Sequence, residues 1–86
     1  MPDNRCARRT PFRSRVRISG QGIEEFDATT RDISDTGIYI FADPGLMSVG
    51  DTVAVQIQDT PMEAPVVDML VIRRDKEGYG LQFMRE

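Results

Sequence analysis

The chain has 86 residues, 40% of them hydrophobic and 29% charged, with one cysteine (Cys6) and no histidine. That excludes an internal disulfide, removes the usual participant in metal sites and in Ser-His or Cys-His catalysis, and fits one small soluble domain in a reducing cytoplasm. The net charge of −3 conceals a split: residues 1–17 carry six arginines against Asp3, whereas residues 18–86 carry −8.

Residues 1–12 read as a flexible, extended, arginine-rich arm, because Pro2 and Pro11 lack N–H donors and Pro11 pushes Thr10 toward extended conformations. From Arg13 the pattern alternates, with Val16 and Ile18 on one face and Arg13, Arg15 and Arg17 on the other, which predicts a first strand with one wet face. The turn "SGQG" (19–22) leads to a second strand over 24–33, rich in threonine and broken by charges. "GIYIFA" (37–42) is the third, with Ile38 and Ile40 on one face and Tyr39 and Phe41 on the other; Tyr39, Phe41, Leu81 and Phe83 are expected in the core.

"DPGL" (43–46) predicts a turn in which Pro44 fixes φ and Gly45 is free to take φ > 0. The fourth strand, "TVAVQIQ" (52–58), turns Val53, Val55 and Ile57 inward. "VVDMLVIRR" (66–74) is nearly continuously apolar and predicts a central strand covered on both sides. "DKEG" (75–78) is a tight turn, and "YGLQFM" (79–84) closes the series with Tyr79, Leu81 and Phe83 on one face. The expectation is an all-β fold, a small six-stranded antiparallel β-barrel over 13–86 with no clear C-terminal helix. No apolar run approaches the roughly 20 residues of a membrane span, and no secretory signal stands at the N-terminus.

Two polar constellations stand out from this scaffold. One is Arg9-Thr10-Pro11-Phe12-Arg13, leading into the first strand; RxxxR also occurs as Arg5/Arg9 and Arg13/Arg17, but only Arg9/Arg13 straddles the junction of arm and strand. The other is Asp32-Ile33-Ser34-Asp35-Thr36-Gly37, leading into the third. By themselves, Asp32 and Ser34 suit a turn closed by side-chain-to-backbone bonds, with Gly37 in a bulge. Arg31 suits either a ligand contact or a solvated position, Arg15 and Arg17 suit a wet strand face, and Asp35 suits the turn.

Together, in this order and with 18 residues between Arg13 and Asp32, the two constellations resemble the PilZ domain family, whose pattern is RxxxR followed by [D/N]xSxxG. The ending "GYGLQF" is similar to that family's last barrel strand. The resemblance implies a non-enzymatic bacterial receptor for the second messenger cyclic di-GMP, with Arg8, Arg9, Arg13, Asp32, Ser34 and Gly37 as ligand contacts and no further cofactor. Arginine can fork onto guanine O6 and N7, stack on a purine and meet phosphate; aspartate can accept from the guanine edge. Arg8, immediately before Arg9, resembles the family form that holds two intercalated ligands, so the expected stoichiometry is one or two per chain. The family often carries a C-terminal helix after the last strand; without one, an uncovered barrel end favours self-association, compatible with a homodimer.

A protein partner is also expected, because a receptor relays its signal by ordering the arm and altering partner contacts. The alternative is an adaptor of the same fold that recognises a protein and binds no nucleotide. An RNA-binding barrel ranks below both, because the body is acidic and the aromatics follow the apolar alternation; the same acidity argues against duplex DNA.

Overall fold

Alternation of apolar and polar side chains is the organising signal, and the computed structural model, which describes residues 10–84, turns it into seven antiparallel strands. They are β1 (Thr10–Pro11), β2 (Arg15–Gly20), β3 (Ile23–Ile33), β4 (Gly37–Phe41), β5 (Thr52–Ile57), β6 (Val67–Arg74) and β7 (Gly78–Phe83). Strands β2-β5-β6-β7-β4-β3 pair in that order, and β3 pairs back onto β2, closing a six-stranded antiparallel barrel. Closure leaves none of these six with a wholly free edge. Among the described residues there is no helix, so none is long and apolar enough to cross a membrane.

The seventh strand, β1, falls within the stretch that the sequence assigns to the arm. β3 has 11 residues and outruns β2, so its last residues offer an edge that Thr10 and Pro11 occupy opposite Ile33 and Asp32. The link from β1 to β2 is fixed by Thr30, whose fully buried hydroxyl accepts from the Ser14 N–H (2.8 Å) and donates to the Phe12 carbonyl (2.5 Å). Arg13 therefore stands between two anchored residues, two positions before β2 begins.

The interior is filled by one side of each of the six barrel strands: Val16 and Ile18, Ala28, Ile38 and Ile40, Val53 and Val55, Met69 and Val71, Tyr79 and Leu81. The Tyr79 hydroxyl accepts the N–H groups of Leu46 and Met47 (3.1 Å each) and donates to the Asp43 carbonyl (2.6 Å), tying the β4–β5 loop to the core. In that loop Gly45 does not take positive φ; Gly22 (φ 76°) and Gly50 (φ 102°) do.

The expectation for β6 is corrected. Ile72 is 49% exposed and the preceding Val66 59%, so the strand is covered on its inner face only, through Met69 and Val71. An apolar run identifies a buried strand only where both sheet faces carry a further layer; among the described residues no element lies over the outer face of β6.

Candidate functional site

A row of cross-strand neighbours runs over the outside of the barrel. Asp32 on β3 faces Tyr39 on β4, Tyr39 faces Gly80 on β7, and Gly80 faces Arg73 on β6. Directly opposed residues share a sheet face. Ile38 and Ile40, flanking Tyr39, point into the core, so this row points out.

Two bulges bring arginines to it. β3 has an extra residue between Thr30 and Asp32, and β6 has one between Val71 and Arg73. In a regular strand consecutive side chains take opposite faces, whereas a bulge lets two neighbours share one. Arg31 and Asp32 thus lie side by side on the outer surface, with Arg31 Nε donating to Asp32 Oδ2 at 2.7 Å. The same device leaves Ile72 exposed and sets Arg73 beside the bare Gly80, where a Cβ would meet the Arg73 side chain at 3.5 Å.

Both arginines converge on Tyr39. The Arg31 guanidinium carbon lies 3.9 Å from the ring centroid, within the range of a cation–π contact, and that of Arg73 lies 5.4 Å from it. Tyr39 is fully buried although it faces outward and stands apart from the apolar cluster that the sequence expects it to join. Its hydroxyl donates to Asp75 Oδ1, and its ring meets Phe41 edge-on at 5.9 Å. Arg13 reaches the same surface, 6.0 Å from the Phe41 centroid.

These contacts shift the titrations in a consistent way. Burial, helped by the bond to Asp75, pushes the Tyr39 hydroxyl up to about 12. The bond from Tyr39, with the N–H groups of Gly78 and Glu77, holds the Asp75 carboxyl below its ordinary value. The bond to Asp32 raises Arg31 further still, so its charge is permanent.

The β3–β4 turn completes the site. Ser34 N–H donates to the Gly37 carbonyl at 2.8 Å, and the Ser34 hydroxyl receives the N–H groups of Thr36 and Gly37 at 3.3 Å. Ser34 is therefore a turn-closing residue. Gly37 has a different reason from ligand clearance or positive φ: a Cβ there would lie 1.9 Å from the Leu81 carbonyl oxygen. The β4 backbone is pressed against β7 at that point, and only glycine fits. A groove of about 80 Å³ opens beside this turn, lined by Thr36, Gly37, Arg73, Gly80 and Gln82 among others.

Of the residues singled out in the sequence, Arg8 and Arg9 lie outside the described residues. Asp32 and Ser34, both buried, stand at the end of β3 with Gly37 three residues beyond Ser34, and Arg13 shares their outer surface. Arg15 and Arg17 do form a solvated face, pairing with Asp59 (3.4 Å), Glu25 (3.2 Å) and Asp27 (3.2 Å). Sequence reading missed Tyr39 as a site element and did not single out Arg73 or Asp75. The one available signal was the adjacent polar pair Arg31-Asp32, which breaks period-2 alternation inside a strand.

The family model described as PilZ domain matches residues 3–86. No curated protein matches the chain.

Proposed function

The chain belongs to the PilZ domain family, and from that premise we propose that it is a non-enzymatic receptor for cyclic di-GMP in the bacterial cytoplasm. The observation that carries this reading is the placement of Arg13 and Asp32 on one outer surface, joined through the Phe41–Tyr39 aromatic pair. A cyclic dinucleotide needs both signs of partner. Its phosphates call for fixed cations, and its guanine N1–H and N2–H₂ edge calls for a carboxylate.

In this mechanism Asp32 accepts from the guanine edge and the Ser34 hydroxyl supplies a further polar contact. Gly37 keeps the turn tight enough for both to stay at the rim. Arg9 and Arg13, with Arg8, clamp base and phosphate from the other side. One ligand, or two intercalated ligands, fills the space between. Ordering of the arm over the ligand then changes the surface offered to a protein partner.

Titration calorimetry with cyclic di-GMP tests this. Arg9→Ala and Arg13→Ala should each weaken binding by about 1–3 kcal/mol, the scale of a bidentate arginine–guanine contact, while the barrel stays folded. Equal affinity in wild type and both variants would overturn the reading.

A second reading is favoured by a specific observation: Val66, Ile72 and Met84 expose apolar side chains on or beside β6 and β7. An adaptor that docks a protein there without nucleotide would show no thermal shift in millimolar cyclic di-GMP, whereas a receptor is stabilised by mass action.

A further inference from the structure

We propose that Arg31 is the base-stacking residue of this site, carrying a guanine on the outward plane of its guanidinium. The inference rests on the cyclic di-GMP reading above and goes beyond its ligand set. It begins from Tyr39, the one aromatic ring in the row. That ring is fully buried, with Arg31 3.9 Å and Arg73 5.4 Å from its centroid. A base cannot reach it. What the row offers to solvent in its place is the other side of the cation that rests on it.

Arg31 is suited to that role by three constraints. Its side chain is 40% exposed, so solvent reaches the guanidinium although one plane rests on Tyr39. Its Nε is bound to Asp32 Oδ2, which fixes the rotation of the plane. Its two terminal nitrogens make no hydrogen bond among the described residues, and so can meet guanine O6 or a phosphate oxygen of the same ligand. A guanidinium already ordered by a ring and a carboxylate loses little further freedom on binding. Asp32 and Tyr39 then act on the base through Arg31 as positioning residues, besides any direct contact Asp32 makes.

Lysine separates stacking from charge, since it keeps the cation and lacks the plane. Calorimetric titration of cyclic di-GMP into wild type, Arg31→Lys and Arg17→Lys should show binding about tenfold or more weaker for Arg31→Lys, the scale of losing one base stack. Arg17→Lys, on the solvated face where it pairs with Glu25 and Asp27, should stay within about twofold of wild type; an equal loss there counts against the stack. Thermal melts check that each variant is folded. In the saturated wild-type complex, nuclear Overhauser contacts should join the Arg31 side chain to guanine H8. Wild-type affinity in Arg31→Lys would overturn the stacking role and leave the receptor reading intact. Weaker binding without contacts to H8 would also overturn it, leaving Arg31 only to hold Asp32. No binding by wild type would overturn both.

Discussion

The Tyr39 hydroxyl donates to Asp75 Oδ1, and that same oxygen receives the N–H groups of Glu77 and Gly78 at 3.0 Å. One carboxylate oxygen thus closes the β6–β7 turn and anchors the aromatic ring beneath the arginine pair. Asp75→Ala should loosen both at once. The melting temperature should fall, and hydrogen exchange should quicken at Gly78 as well as around Tyr39. Faster exchange confined to the turn would show that the two are not coupled.

The Asp75 carboxyl titrates below its ordinary value in the folded chain, so its contribution to stability is present above the unfolded value of about 3.9 and is lost as pH falls through the folded value. Tyr39 works in the opposite direction. Its pKa is raised to about 12, so its contribution is complete below about pH 10 and is lost as pH rises toward 12. Denaturant titrations should show stability declining at both ends. Tyr39→Phe should flatten the alkaline arm, and an unchanged alkaline slope in that variant would contradict the assignment.

Gly37→Ala should be among the most damaging single-methyl additions in the barrel. The new Cβ falls 1.9 Å from the Leu81 carbonyl oxygen, a backbone atom in the paired strand that cannot move without breaking the β4–β7 ladder. A loss of about 3 kcal/mol or more is expected, at the upper end of overpacking costs, and a chain of this size has little margin. Equilibrium unfolding in urea would measure it.

Thr30→Val keeps shape and removes the hydroxyl that holds Ser14 and Phe12. It should cost about 1–3 kcal/mol, because the buried Ser14 N–H loses its partner. Since Arg13 lies between those two residues, cyclic di-GMP affinity should fall as well. Unchanged affinity in a destabilised Thr30→Val protein would mean that Arg13 is placed by the ligand rather than by the fold.

Much of this fold was legible because alternation is a direct image of the sheet. Val16/Ile18, Val53/Val55 and Tyr79/Leu81 point inward as their spacing requires, and the Asp75–Gly78 turn lies where glycine and charge cluster. The site was legible in part, through the polar stretch from Asp32 to Gly37. What the pattern concealed has physical causes. The bulge in β3 leaves no trace but the adjacent polar pair, so by plain alternation Arg31 reads as facing away from Asp32 when the two lie side by side. Tyr39 is covered by two arginines as well as by Phe41, and burial under arginine leaves no hydrophobic trace in sequence. The glycine at position 37 is explained by a carbonyl 44 positions further along the chain, which no local window contains.

The extra residue in β3 has a consequence for how such a site can change. With Arg31 removed, Thr30 and Asp32 would become consecutive while still facing Ile40 and Tyr39, as a regular strand requires. The Phe12 N–H would lose the Arg31 carbonyl to which it donates, but on the β4 side every core partner would keep its place, and so would Asp32. The same holds for Ile72 between Val71 and Arg73. Gain or loss of a single codon can therefore equip or strip the outer surface while the interior stays in step. Variation here is measured in strand length as much as in residue identity.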